Sequence, residues 1–346
     1  MPASDQKSTP TMHDVAREAG VSVATVSRVI NVSGYASKKS KQVVLEAMKK
    51  LNYHPSSFAR SFKTQKTGLV GVLIPILEHP SYSRMASTIE QKLFDLGYRA
   101  IICNSEENED REMAYVEMLL RQRVEGIIIN SAAQTPDSLA ELAENDIPLV
   151  LFDRYLPDIK CNKVFCDNSL GGYLGLKYLI DLGHRRIGVV AAPIYPEPII
   201  RRLQGIQEAL EEFDIPSDPN LMITGNTQLF EMGYDAAIRL MQLDSPPTAI
   251  FALTDVTAVG VMHGVVEAGY RVPEDISVLG YDDLPLASYM MPPMSTIAQP
   301  LTEMAEVAVD LLIRQLEDNT LEPKTAVLKT TLVTRRSTAP LRSLDM

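Results

Sequence analysis

Apolar residues recur at helical spacing through the first fifty residues, then in short unbroken runs from residue 68 onward. Thr11 precedes MHDVAREA and has Asp14 three residues on, the arrangement of an N-cap answered by an acidic side chain. Gly20 supplies the left-handed turn that ends this helix. Ser22 caps a second helix, VATVSRVI. Val15, Ala16, Ala19, Val21, Val26 and Ile30 fall on one seam across the pair. SGYAS reads as a loop, and a third helix runs from Lys38 to Leu51 with Val43, Val44, Ala47, Met48 and Leu51 inward. Two short helices joined by roughly three residues predict a helix-turn-helix, in a three-helix bundle too small to be very stable alone.

The body alternates strand and helix. GLVGVLIP at 68–75 is an apolar run of the kind found in buried parallel strands. A helix near Ser83–Gly97 follows, then strand AIICN, helix 110–122, strand GIIIN, helix 137–145 and strand PLVLF. The order repeats after residue 168: helix 168–182, strand RIGVVAA, helix 199–213, strand LMIT, helix 229–242, strand AIFAL, helix 255–268 and strand ISVLGY. The tail at 295–335 gives a strand, a helix over Thr302–Glu317 and two short strands. After the helical bundle, two such arrays predict an all-α helix-turn-helix head and an α/β body of two doubly wound lobes.

Charge sharpens this division. The chain has 346 residues and a net charge of −11. Residues 1–67 carry 11 Lys+Arg against 4 Asp+Glu, whereas residues 68–346 carry 22 against 40. A basic head attracts a polyanion that the acidic body repels. No apolar run reaches the ~18 residues of a membrane span. MPASDQKSTP has no signal-like stretch, which predicts a cytoplasmic protein. Cys103, Cys161 and Cys166 lack the spacing of a disulfide framework or a zinc site and read as small buried side chains.

In a helix-turn-helix the second helix enters the major groove, N-terminal residues first. Val23, Ala24 and Arg28 are therefore the candidates for base contact: arginine can reach guanine O6 and N7 together, and small apolar groups touch thymine methyls. Thr11, Ser22, Thr25, Ser27 and Asn31 offer short polar groups to phosphates. Ser56 can cap SFARSF, a helix of under two turns that is unstable alone in water.

TMHDVAREAGVSVATVSRVIN followed by LNYHPSSFARSFK resembles the LacI/GalR family of bacterial transcription regulators, and the resemblance extends over about residues 11–338. It implies a head at 1–55, a hinge helix and linker at 56–67, and a ligand-binding, dimerising body at 68–340. In the family the chain crosses between lobes three times, which implies that the lobes face each other across a ligand cleft. Those crossings put 68–167 and 298–324 in lobe 1, and 168–297 and 325–340 in lobe 2. The family also inserts an apolar hinge side chain into the minor groove, usually leucine. Here Phe62 takes that place, with Ala59 and Arg60 beside it.

Strand ends supply the polar groups of the cleft. Asn130, the Asp153-Arg154 pair, Thr254-Asp255 and Asp282 all follow apolar strands, where open α/β sheets bind ligands. N-capping of the next helix competes as a role for each aspartate, and for Asp255 the two roles are evenly matched. The resemblance adds Arg202, which opens RLQG, and Gln299 in TIAQP. It likens YDDLPLASYMMPP and Asp153-Arg154 to ribose-repressor-like members. Carboxylates, arginines and amides together suit a neutral polyol, whose hydroxyls both donate and accept. Three departures from the family pattern point to less aromatic stacking and a smaller, more polar or differently oriented ligand. Gln228 stands where an aromatic wall is common, HPSY replaces NPFF and leaves Ser81 and Tyr82, and Thr254 stands where many members have Asn. His79 lies at the cleft mouth, within reach of a ligand, while His184 in LGHRRIG reads as structural.

There is no GxSxG, Walker loop or HExxH, and Gly171-Gly172 and Gly175 fall within a helix, where they favour close packing. The prediction is a non-enzymatic, cofactor-free repressor. It binds a palindromic double-stranded operator as a homodimer and responds to a sugar or a related small polar metabolite. The alternative is a catabolite-control regulator whose main effector is a phosphocarrier protein docked on lobe 1.

Overall fold

The computed structural model describes residues 10–30, 36–53, 67–131, 139, 142, 146–157, 159–191, 196–226 and 229–341. The hinge helix expected at 56–62, with Ala59, Arg60 and Phe62, lies outside the described residues, as do Asn31, Gln228 and most of the helix expected at 137–145. Contacts divide the chain into two units, Met1–Gly68 and Leu69–Met346.

The first unit packs helices α1 (Met12–Ala19), α2 (Val23–Ile30) and α3 (Lys38–Lys50) around buried Val15, Ala16, Val26, Val44 and Ala47. Thr11 closes a capping box: its hydroxyl accepts from the Asp14 N–H at 3.4 Å, while the Asp14 carboxylate accepts from the Thr11 N–H at 2.9 Å. Gly20, at φ 64°, ends α1 in the left-handed region that glycine enters without a Cβ clash.

The second unit holds two six-stranded sheets of matching order. The first runs β11 (Thr325–Leu328), β5 (Asn162–Cys166), β4 (Leu149–Phe152), β3 (Gly126–Ile129), β1 (Leu69–Ile74), β2 (Arg99–Asn104), and every pair in it is parallel. The second runs β12 (Thr331–Val333), β10 (Ser295–Ala298), β9 (Ser277–Asp282), β8 (Ala249–Ala252), β6 (Ile187–Ala191), β7 (Met222–Thr224), parallel except at β10–β12. Thr325–Leu328 therefore belongs to the first sheet, although the resemblance had assigned residues beyond 324 to lobe 2. Pairing of Thr325 with Lys163 and Leu328 with Cys166 moves the third crossing to Lys329-Thr330.

Helices α4 (Pro80–Asp95) and α10 (Leu301–Glu317) cover one face of the first sheet through Met85, Ile89, Leu93, Met304, Ala308 and Leu312, and α5 (Glu109–Arg121) covers the other through Val116 and Leu119. On the second sheet, α6 (Asn168–Asp181) and α7 (Glu197–Glu212) share one face, and α8 (Phe230–Met241) and α9 (Asp255–Glu267) share the other. Both pairs cross backbone to backbone. A Cβ at Gly205 would lie 1.8 Å from the Ser169 carbonyl oxygen, and one at Gly172 would lie 2.0 Å from that of Arg202. Gly172 of α6 and Gly205 of α7 thus let the two helices come close enough to bring Arg202 to the cleft.

In each sheet the strand order reverses beside the same strands, β1 and β3 in the first and β6 and β8 in the second. Doubly wound sheets open a crevice at that point, at the carboxyl ends of the strands.

Candidate functional site

The head presents two faces of α2. Val23, Val26 and Ile30 follow i, i+3, i+7 spacing, so Val23 is half-buried against the head core rather than fully presented as expected. Ala24 and Arg28, four residues apart on the opposite face, are exposed. The Ser22 hydroxyl accepts from the Thr25 N–H at 3.1 Å and meets the Thr25 hydroxyl at 2.9 Å, so Ser22 caps the helix that carries Arg28 and Thr25 braces that cap. Thr11 is exposed at the start of α1, and Ser27 is half-buried.

In the body, the loops that leave β1, β3, β4, β6, β8 and β9 meet between the two sheets. The empty space there is about 370 Å³, part of it continuous with solvent, and is lined by His79, Ser81, Tyr82, Asp153, Arg202, Thr254, Asp282 and Gln299 among others. Asn130 and Arg154 are buried outside the lining itself. Asn130 orients a lining residue, donating from Nδ2 to Asp153 Oδ2 at 3.1 Å.

Arg202 is 4% exposed and held on several sides. Its Nε donates to Asn168 Oδ1 at 2.9 Å and its Nη1 to the Leu253 carbonyl at 2.5 Å. Its Cζ sits 3.7 Å from the Tyr281 ring centroid, and Asp282 Oδ1 lies 4.0 Å from Nη1. Burial works against its charge, but Tyr281, Asp282 and Asp153 hold the guanidinium protonated above its ordinary range. Gln299 Nε2 donates to Asp282 Oδ1 at 2.6 Å.

Capping does not explain Asp153 or Asp282. Neither is an N-cap: the cap of α9 is Thr254, whose hydroxyl accepts from the Thr257 N–H at 3.1 Å. That bond commits the Thr254 side chain although it lines the space. Asp255, weighed evenly between cap and ligand, does neither. Its carboxylate accepts from the Leu284 N–H at 2.7 Å and the Thr296 hydroxyl at 2.6 Å, bracing the loop beyond β9. Asp153 and Asp282 sit at φ 59° and 124°, a region that non-glycine residues rarely enter. Burial pushes the Asp153 carboxyl up to about 7, with Arg202 and Arg154 opposing that rise.

Buried side-chain atoms without a hydrogen-bond partner collect at this cleft. They include both ring nitrogens of His79, the Ser81 hydroxyl, Asn130 Oδ1, Asp153 Oδ1, Arg154 Nη2, Asp282 Oδ2 and Gln299 Oε1. Native proteins pair nearly all such atoms, and here water or a polar ligand in the space between the lobes can pair them. Sequence reasoning missed Asn168 and Tyr281, which fix Arg202, and Pro196, Pro198 and Leu301, which close the space. Asn168, directly after the first lobe crossing, had positional interest but no chemical signal.

The remaining candidates are structural. His184 is bonded at both ring nitrogens. The three cysteines are free and buried, and among the described residues no group of His, Cys, Asp and Glu could hold a metal ion. No described helix is long and apolar enough to cross a membrane.

Comparison with known proteins agrees with this arrangement. Residues 11–56 match the model of bacterial regulatory proteins of the lacI family, and residues 176–338 match a periplasmic binding protein-like domain. The chain is 38% identical over 330 residues to the ribose operon repressor of Escherichia coli (strain K12), covering 94% of this chain and 99% of that protein. It is 36% identical over 329 residues to the HTH-type transcriptional repressor PurR of Pasteurella multocida (strain Pm70), covering 94% and 98%. The solved lac repressor dimer bound to operator and the anti-inducer ONPF superposes with a TM-score of 0.85 at 29% identity, over 96% of this chain and 100% of that one. With a helix-turn-helix head, two doubly wound lobes and relatives matched over almost their whole length, the chain belongs to the LacI family of bacterial regulatory proteins.

Proposed function

We propose that this protein is a repressor that binds a palindromic operator as a homodimer and releases or tightens its grip when a small neutral polar molecule, a sugar or close relative, fills the cleft. The observation that carries the reading is the convergence of unpartnered buried polar atoms from both lobes, in a chain headed by a basic helix-turn-helix. The parts are a head at 1–55, a hinge at 56–67 and a body at 68–340. In the head, Arg28 and Ala24 contact bases, with Val23 at the edge of that surface. Thr11, Ser22, Thr25, Ser27 and Asn31 face phosphates. Ala59, Arg60 and Phe62 enter the minor groove.

In the cleft, Ser81, Tyr82 and Asp153 hold the ligand from lobe 1, with Asn130 and Arg154 buried behind them. Arg202, Gln228 and Asp282 hold it from lobe 2, with helix-capping Thr254 on the same wall and Gln299 at a crossing. An effector acts only through unequal affinity for two arrangements, and a ligand bridging the lobes favours the closed one. The names of the relatives do not favour the phosphocarrier alternative.

The test is an anisotropy titration of labelled duplexes selected from a random pool, with and without a panel of sugars and nucleosides. One member of the panel changes operator affinity, and Arg202→Ala abolishes that change while operator binding persists. An unchanged effector response in Arg202→Ala refutes the cleft as the effector site.

A further inference from the structure

Asp282 and Asp283 are consecutive residues with positive φ, 124° and 56°, where the chain leaves β9. Residues other than glycine keep such angles only where their surroundings enforce them. The Asp282 side chain supplies little of that restraint: Oδ1 accepts from Gln299 Nε2 at 2.6 Å, and Oδ2 has no hydrogen-bond partner. The next two residues are gripped more firmly. The Leu284 N–H donates to Asp255 Oδ2 at 2.7 Å, and the Asp283 N–H donates to the Thr296 hydroxyl at 3.4 Å. The Asp283 carboxylate accepts from Arg335 Nη2 at 2.7 Å.

Arg335 belongs to the C-terminal segment and does not line the cleft. Its Nη1 donates to the Met294 carbonyl at 2.9 Å, and its N–H donates to the Ser295 hydroxyl at 2.9 Å. One residue thus holds both ends of the 283–294 loop, at Asp283 beyond β9 and at Met294-Ser295 where β10 begins. The chain that follows fixes Arg335 in turn. The Ser337 carbonyl accepts from the Val278 N–H at 2.8 Å, and its hydroxyl accepts from the Ser295 N–H at 2.8 Å and donates to the Val278 carbonyl at 2.6 Å. The Ala339 carbonyl lies 3.1 Å from His184 Nε2, and the Leu341 N–H donates to the Leu182 carbonyl at 2.8 Å. Residues 335–341 therefore form a strap along the second lobe. An ion pair with side chains 19% and 30% exposed adds little stability. Its consequence is geometric, because it ends one residue from the carboxylate that stands 4.0 Å from Arg202 Nη1.

We propose that Arg335 is a positioning residue: through Asp283 it holds Asp282 in the backbone conformation that turns its carboxylate toward Arg202, so that the C-terminal strap shapes the cleft from behind. The consequence for ligand binding rests on the effector reading above.

The experiment compares full-length wild type with Arg335→Ala, Arg335→Lys, Asp283→Ala and the double alanine variant. Amide hydrogen exchange is read first, without ligand. Peptides spanning 281–289 exchange at least tenfold faster in either single alanine variant, and the double variant is no faster than the faster single one. Arg335→Lys, which keeps a charged donor, recovers part of the protection, while β1 and β3 exchange as in wild type. Calorimetric titration with the aldopentoses, the aldohexoses and the ribonucleosides then identifies the tightest-binding compound for wild type, and both single alanine variants bind it at least tenfold more weakly. Wild-type exchange at 281–289 in those variants overturns the proposal. Faster exchange throughout both lobes, with a parallel drop in the urea midpoint, also overturns it, because Arg335 is then a general support. Faster local exchange with undiminished affinity for that compound overturns the link to the cleft. If wild type binds no compound of the panel, the effector reading fails, and the exchange comparison still upholds or overturns the hold on Asp282.

Discussion

Asp153→Asn should stabilise the ligand-free protein, and only above a definite pH. Burial pushes this carboxyl up to about 7 from an ordinary value of 3.8. At 1.36 kcal/mol per pH unit, that gap of about three units sets ~4 kcal/mol against the ionised form as an upper figure. Water entering the cleft and local relaxation reduce it, and ~1–3 kcal/mol is the effect to look for. The folded chain holds the proton where the unfolded chain has lost it. This group's contribution therefore falls as pH rises from about 4 to about 7, and the penalty is complete above that. Asparagine cannot ionise, tolerates the φ of 59°, and can still accept the 3.1 Å bond from Asn130. The chain has no tryptophan, so urea unfolding is followed by circular dichroism at several pH values from 5 to 8.5. Midpoints are compared where the slopes agree. The Asn variant should gain on wild type steadily from pH 5 to 7.5 and then level off. Equal midpoints at pH 8, or a less stable variant there, would show that Asp153 is not held ionised against its surroundings.

Two further outcomes follow from the packing and the head. Arg28→Ala should weaken operator binding by roughly 1–3 kcal/mol and relax preference at one base pair, read from a panel of single-site operator variants; a uniform loss on every duplex would place Arg28 on phosphate. Gly205→Ala sets a methyl 1.8 Å from the Ser169 oxygen, so α6 and α7 must separate, at about 1–3 kcal/mol or more of stability in a thermal melt, with weaker binding of any effector because Arg202 moves with α7.

The legible parts of the chain were those where one physical signal dominates. The helix-turn-helix announced itself through a capping box, a left-handed glycine and a seam of small apolar residues, all local features. Most strands appeared as apolar runs because parallel strands are buried on both faces. β5 escaped notice because Asn162 and Lys163 interrupt its apolar pattern. Asn162 Nδ2 donates to Gln315 Oε1 at 2.5 Å and its Oδ1 accepts from the Lys324 N–H at 2.8 Å, while Lys163 Nζ reaches the Pro157 carbonyl at 3.4 Å. Those partners are up to 162 positions away, beyond any window of periodicity. The cleft was legible at strand ends for the same topological reason, since parallel strands deliver their carboxyl termini to one edge. Whether an aspartate there is free or consumed was not legible. Asp255 and Asp282 look alike in sequence, yet the first is used up by Leu284 and Thr296 while the second keeps an unpartnered oxygen.

The unfavourable features of this body are concentrated where the lobes meet. Asp153 and Asp282 have left-handed φ, and unpartnered polar atoms face the space from both sides. Each such feature costs about 1–3 kcal/mol. On the effector reading proposed above, a polar ligand that reaches both sides pairs these atoms at once, and its unequal affinity for two lobe arrangements arises from them. The consequence reaches the backbone at the crossings. Asp167 N–H donates to the Leu328 carbonyl at 2.8 Å, and the Thr330 hydroxyl donates to the Asp167 carbonyl at 3.2 Å, tying the first crossing to the third. Asn168, the next residue, accepts from Arg202 Nε. A ligand that shifts Arg202 therefore pulls on the crossing through one hydrogen bond.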